Sequence, residues 1–173
     1  MNALVIFDST YGNTEAIARA IAAGLADGFE VRVARAAPGE LVGGGAELLV
    51  VGGPTQRHGL SPGLEILFEG LPRGALRGRR AAAFDTRYHM SALLSGSAAR
   101  GAAKRLERAG STLIAPPESF FMERDRPSSG EKRRHAIERL EPGELERAAA
   151  WGRQLAASAG PSQGATTEAS DQP

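Results

Sequence analysis

Ser9, Thr10, Asn13 and Thr14 follow directly on an apolar run, Leu4-Val5-Ile6-Phe7, and stand where a helical pattern begins. Each of these side chains can donate a hydrogen bond. The first backbone N–H groups of the following helix lack intrahelical partners and carry its positive dipole end. Donors in this order suit a phosphate group. Neither Lys nor Arg occurs between Asp8 and Thr14, so the anion is expected to be held by neutral dipoles. That separates the loop from a P-loop, whose Gly-x-x-x-x-Gly-Lys-Ser/Thr pattern is missing from the chain. The Gly-x-Gly-x-x-Gly fingerprint of a dinucleotide fold is missing too: Gly12 stands alone, and Gly43-Gly44-Gly45 precedes a strand-like run instead of following one.

Two further polar segments follow apolar runs. The first is Gly53-Pro54-Thr55-Gln56-Arg57-His58-Gly59, and the second is Asp85-Thr86-Arg87-Tyr88-His89. His58, His89 and His135 are far apart in the chain, and cysteine is absent, so no metal site is expected. A response-regulator receiver needs a phosphoacceptor Asp after its third strand, where this chain has Gly52-Gly53-Pro54-Thr55. A hydrolase of the nucleophile-elbow kind needs Gly-x-Ser-x-Gly, which does not occur. Asp8 and Asp85 each end an apolar run, where aspartates commonly cap a loop or helix.

The elements that must position these loops can be read from periodicity. Residues 3–8 form an apolar strand buried on both faces. Ile17, Ala20, Ile21, Gly24 and Leu25 recur at helical spacing from Asn13 to about Ala26, before Asp27-Gly28. Phe29, Val31 and Val33 alternate with charged residues as an edge strand does. Glu47–Gly53 supplies a third strand, about Pro62–Glu69 a short helix, and Arg80–Asp85 a fourth strand of small residues. Leu93, Leu94, Ala98, Ala102 and Leu106 mark a helix ending near Gly110, and residues 111–122 a fifth strand with an irregular start at Pro116-Pro117. Residues 123–140 turn strongly charged and read as an excursion. Glu144 to about Ala157 is a final helix whose inner face holds Leu145, Ala148, Ala149, Trp151 and Leu155, with Trp151 as core. Beyond residue 160 the composition is that of a disordered tail, which leaves 1–159 as one domain.

Composition agrees with that count. The chain has 173 residues, 42% of them hydrophobic, enough for one core and too few for two. Its 21 basic and 20 acidic residues give a net charge of +1, so no global field draws it to nucleic acid or an anionic membrane. The Arg73, Arg77, Arg79, Arg80 cluster has no interleaved aromatics and reads as a solvated approach to a strand. The lack of cysteine suits a reducing compartment, and no apolar run approaches the ~20 residues of a membrane span. A cytoplasmic location is the expectation.

Strand and helix alternating five times describe an α/β fold, a doubly wound five-stranded parallel sheet. In strand order 2-1-3-4-5 the topological switch brings the first two polar loops together with the third beside them. At this point residues 1–160 resemble the flavodoxin-like family. The match lies in Ser9-Thr10-Tyr11-Gly12-Asn13-Thr14-Glu15, which is similar to that family's FMN-phosphate loop. The resemblance implies that Ser9, Thr10, Asn13 and Thr14 hold the phosphate of FMN, with Tyr11 as spacer and Gly12 allowing close backbone approach. It implies that the loop from Pro54 through Thr55, Gln56, Arg57, His58 and Gly59 lies along one face of the isoalloxazine ring. Asp85, Thr86, Arg87 and Tyr88 then belong to the other flavin-facing loop, with Tyr88 as its stacking residue. Many flavodoxins place Trp or Tyr in the second loop, where this chain has Gln56, Arg57 and His58. Cations at Arg57, His58, Arg87 and His89 imply a higher reduction potential than an acidic flavodoxin has. The function implied is electron transfer with a redox partner protein or a small electron acceptor. An NAD(P)H-dependent quinone or flavin-type reductase stays open, as does an interaction module without FMN that uses residues 123–140 as its contact surface.

Overall fold

The computed structural model describes residues 1–56, 59–89, 96–123 and 139–159. Strand β1 (Asn2–Phe7) lies inside the sheet, buried from Ala3 to Phe7, because its apolar run supplies both faces. β2 (Glu30–Arg35) pairs along one side of it as the edge strand, and β3 (Leu48–Pro54) along the other. β4 (Arg80–Tyr88) follows beside β3, and all of these pairings are parallel. Helices α1 (Asn13–Leu25) and α4 (Glu144–Ser158) cover one face, and α2 (Pro62–Phe68) and α3 (Ala98–Arg108) the other. Alternation along each strand sorts the core accordingly. Val5, Val50, Ala82 and Phe84 meet Ile17, Ile21 and Trp151, whereas Ile6, Val51 and Ala83 meet Leu64, Leu67 and Leu106.

The doubly wound reading holds, and the order β2-β1-β3-β4 matches the expected one. Among the described residues the sheet has seven strands, where five were expected. Beside β4 the expected fifth strand is two pieces, β5 (Thr112–Leu113) and β6 (Glu118–Glu123). Pro116 and Pro117 have no N–H to donate, so the ladder breaks there and resumes when Glu118 reaches Phe84. β7 (Arg139–Leu140), the end of the charged excursion, pairs antiparallel with Met122 and Glu123 at the far edge. The rest of that excursion, residues 124–138, and the expected tail, residues 160–173, lie outside the described residues.

Three other expectations change. β3 runs through Pro54 and β4 through Tyr88, so Pro54 and Thr86–Tyr88, beyond the strand ends read from the sequence, are paired strand. Gly52 and Gly53 serve packing, since a Cβ at Gly52 would lie 2.4 Å from the Phe84 ring and one at Gly53 2.6 Å from Leu64. α3 begins at Ala98 behind the N-cap Ser97; Leu93 and Leu94 lie outside the described residues. Leu145 is 44% exposed because the buried stripe of α4 runs through Glu144, Ala148, Trp151 and Leu155. Of the arginine cluster, Arg73 and Arg77 are exposed, while Arg79 donates to the Leu41 carbonyl and Arg80 to that of Ala159.

Trp151, Phe84 and Phe120 meet edge to face at centroid separations of 6.1–6.5 Å, the aromatic centre of the α1/α4 side. α1 and α4 cross at glycines. A Cβ at Gly152 would stand 2.3 Å from the Ile21 carbonyl oxygen, and one at Gly24 2.1 Å from that of Ala149. These obstacles are backbone, so the helices must separate to admit a methyl group. Gly152→Ala is therefore expected to destabilise the fold by about 2 kcal/mol, or ~4–8 °C in Tm, despite its better helix propensity. A thermal melt that rises instead contradicts this packing.

α4 is tied to β6 by charge. Arg147 binds Glu118 at 2.6 Å and Glu144 at 2.6 Å, with its guanidinium 4.4 Å over the Phe120 ring. Glu144 also accepts the Phe121 backbone N–H at 2.7 Å. Burial raises the Glu144 carboxyl, but the hydrogen bonds from Arg147 and Phe121 and the positive charge nearby outweigh it, leaving it below the ordinary value of 4.5. A depressed carboxyl contributes stability above its unfolded pKa and loses it as pH falls through the folded one. The stability gap between the wild-type chain and Glu144→Gln is thus expected to be full near pH 7 and to shrink below pH 4.5. Denaturant titrations that show a pH-independent gap contradict the ion pair's part in it.

Candidate functional site

The carboxyl ends of β1, β3 and β4 open onto one cleft. β1 ends where the Asp8 N–H donates to the Gly52 carbonyl at 3.0 Å. The Asp8 carboxylate turns away and accepts the Gly63 N–H at 3.2 Å, in the first turn of α2, so it is a cap as expected. The chain then curls. Ser9 Oγ accepts the Gly12 N–H at 3.0 Å, and Gly12 takes φ of +89°, a left-handed conformation that strains any residue with a Cβ. α1 starts from that residue with no side-chain cap on its first turn. A Cβ at Gly12 would meet nothing within 4 Å, so the space over the loop is open to a ligand.

Hydroxyl bookkeeping shows what this loop offers. Ser9 Oγ accepts from Gly12, which leaves its own proton to donate elsewhere. Thr14 Oγ1 and Thr86 Oγ1 are 2.8 Å apart and both residues are 2% exposed, so the two hydroxyls share one of their two protons. The second proton is free for an acceptor in the cleft. This bond also fastens the first loop to β4 across 72 positions of sequence.

The expectation of purely neutral surroundings needs correction. Arg35, at the end of β2, donates to the Ser9 carbonyl at 2.8 Å, with its guanidinium 5.3 Å from the Phe7 ring centroid and 3.7 Å from Glu15. A cation therefore backs the loop from a different strand. No local motif announces it; the signal is register, because Phe7 lies beside Arg35 in the parallel ladder.

The opposite wall comes from β3 and β4. Pro54, Thr55, Gln56, Thr86, Arg87 and Tyr88 line the same cleft as Ser9, Thr10, Tyr11, Asn13 and Thr14. Met122 completes it, opposite Tyr88 in the β4–β6 ladder. Sequence reading missed Met122, although Phe120 and Met122 alternate with Phe121 on the face that Thr86 and Tyr88 share. Tyr11 sits at the rim, 73% exposed. Gln56 and Gly59 close a tight backbone pair, at 3.2 and 2.8 Å, around Arg57 and His58, which lie outside the described residues. Gly59 is in that turn, off the cleft wall.

Asp85, expected in the cleft, is not there. As neighbours in a strand, Asp85 and Thr86 face opposite sides. Asp85 is fully buried on the α3 side, where its Oδ2 accepts from Thr55 Oγ1 at 2.8 Å, Ser97 Oγ at 2.7 Å and the Ala99 N–H at 3.1 Å. Arg87, only 8% exposed, donates to the Gly96 carbonyl at 3.1 Å. His89 leaves the cleft altogether: its ring stacks on Phe121 at 3.8 Å, and its Nε2 is 3.1 Å from Glu141. Among the described residues no cluster of His, Asp or Glu is placed to hold a metal ion, and no helix is long and apolar enough to cross a membrane.

The arrangement offers hydroxyl and amide donors at one end and a wall of Pro54, Tyr88 and Met122 at the other. That polarity fits a flat apolar ring carrying a phosphate. Comparison with known proteins points the same way. The sequence profile of the family described as Flavodoxin matches residues 5–116. No curated protein sequence matches the chain significantly. Among solved structures, oxidised Flavodoxin 2 from Bacillus cereus is similar over 91% of this chain and 99% of its own, with a TM-score of 0.69 at 20% identity. A flavodoxin from the domain Archaea matches over 91% and 97%, with a TM-score of 0.64 at 24% identity. The WrbA-like flavodoxin from Agrobacterium tumefaciens matches over 90% and 95%, with a TM-score of 0.63 at 16% identity. Likenesses at these identities speak to the fold.

Proposed function

The chain belongs to the flavodoxin family, and from that membership and the cleft's donor set we propose that it binds FMN and serves in electron transfer. The observation that carries the reading is the loop at Ser9–Thr14. Its protons and open left-handed glycine converge on a space that the protein leaves free. Ser9, Thr10, Asn13 and Thr14 would hold the phosphate, with the Gly12 backbone close against it and Arg35 adding positive charge from behind the loop. Pro54, Gln56, Tyr88 and Met122 would flank the ring and keep water from its faces. When bound, FMN supplies an isoalloxazine that accepts one or two electrons. The protein's part is to bind, orient and tune.

Tuning falls to Arg87. It is a buried residue of the cleft lining, with its guanidinium held behind the wall by the Gly96 carbonyl, whereas His89 pairs with Glu141 outside the cleft. A guanidinium in a dry wall stabilises negative charge that develops beside it. The reading thus favours a higher potential than acidic surroundings give.

Titrating the purified chain with FMN while following flavin fluorescence is expected to show saturable quenching at micromolar concentration or below. Unquenched flavin points to the module without FMN. Gly12→Ala lets the loop relax, so binding must restore roughly 1–2 kcal/mol of left-handed strain. It is expected to weaken FMN about tenfold and to leave riboflavin, which lacks the phosphate, nearly unchanged; equal losses contradict the assignment of this loop. Arg87→Gln is expected to shift the two-electron midpoint negative by about 30 mV, the equivalent of roughly 1.4 kcal/mol. A midpoint that does not move removes Arg87 from the tuning.

A further inference from the structure

Asp85 is an acid at the base of the cleft, fully buried, yet outside the cleft lining. Its contacts are uneven. All three donors, Thr55 Oγ1, Ser97 Oγ and the Ala99 N–H, converge on Oδ2, while Oδ1 has no hydrogen-bond partner among the described residues. A buried carboxylate is costly unless it is well bonded. Here the return is mechanical: one oxygen joins β4, the segment after β3 and the start of α3.

Thr55 is the link to the cleft. Its hydroxyl donates to Asp85 and accepts the Ala98 N–H at 2.9 Å, and its backbone N–H donates to the Thr86 carbonyl at 3.0 Å. With its hydroxyl proton and its N–H both committed, Thr55 has no donor left for a ligand. It lines the cleft without a proton to give there. Its place in the wall is therefore set from below. Arg87, on the same side of β4 as Asp85, binds the Gly96 carbonyl, so the segment 96–99 is held by a cation and an anion two residues apart.

We propose that Asp85 is the positioning residue of the ring side of the cleft, holding the Pro54–Gln56 wall through the Thr55 hydroxyl and locking that wall to the first turn of α3. This rests on the flavin-binding reading above. It assigns to Asp85 an indirect role in place of contact with the cofactor. Because the phosphate loop is fastened separately, through Ser9, Gly12 and Thr86, the clamp governs the ring and leaves the phosphate alone.

The test compares FMN with riboflavin on the full-length chain, by fluorescence titration alongside thermal melts. Thr55→Val keeps the methyl group and shape but removes the hydroxyl, while Asp85 retains Ser97 and Ala99. It is expected to weaken FMN and riboflavin by the same factor, at least about tenfold, because the charge-assisted bond to Asp85 and the acceptor of the Ala98 N–H are lost together. Asp85→Ala is expected to do at least as much to both ligands. Asp85→Asn keeps an acceptor oxygen for the three donors, and its amide nitrogen can take the place of unpartnered Oδ1, so binding is expected to recover to within about threefold of wild type. Thr55→Val with unchanged affinity for both flavins overturns the proposal, even where Tm falls. A loss confined to FMN also overturns it, since that places the effect at the phosphate. A wild-type chain that takes up neither flavin overturns the functional reading and this inference with it, whereas failure of the clamp alone leaves wild-type binding intact.

Discussion

The parallel register of β1, β3 and β4 is the constraint on which the rest of the molecule depends. Phe7 lies beside Gly52, Gly52 beside Phe84, and Pro54 beside Thr86, so the strands run out of the sheet stepwise, β3 beyond β1 and β4 beyond β3. Parallel strands require crossovers, and the crossovers put α1 on one face and α2 and α3 on the other. The chain ends therefore diverge above β1 and β3, and a crevice forms there without any residue having to be removed to make it. Slipping β4 by one residue would turn Thr86 to the α3 side and Asp85 into the cleft. Both the Thr14–Thr86 bond and the Asp85 clamp would be lost.

Within that frame, polar groups are divided by face. On the α1 side of β4, Phe84 fills the core and Thr86 and Tyr88 rise above it toward the cleft. On the α3 side, Ala81 and Ala83 pack on the helices, and above them Asp85 and Arg87 fix the segment that starts α3. The buried charges of β4 stand where this packing ends and neighbouring donors or acceptors are within reach. The cleft wall is thus supported by Asp85, which does not itself line the cleft.

Much of this was legible in the residues. The donor loop at Ser9–Thr14 stood out because hydroxyl and amide groups there lead straight into a helical pattern, and continuous apolar runs placed β1 and β3 in the core. What escaped was whatever depends on pairing between distant segments. Arg35 reaches the first loop only because β2 runs in register with β1. Met122 faces the cleft only because the ladder resumes after Pro116-Pro117. Thr86–Tyr88 looked like a loop because its residues are polar, yet pairing with β6, and at Thr86 with β3 as well, makes it strand. Polarity marks exposure to water or to a site, and from one sequence those two are alike.

The central claim is that three sequence-distant strand ends form one flavin site, and amide chemical-shift mapping of the isotopically labelled chain with FMN tests it most directly. The account predicts large, saturable shifts confined to residues 9–15, Thr55–Gln56, Thr86–Tyr88 and Met122, with those of the first group absent when riboflavin replaces FMN. Shifts centred elsewhere, or a spectrum that FMN leaves unchanged, would contradict it.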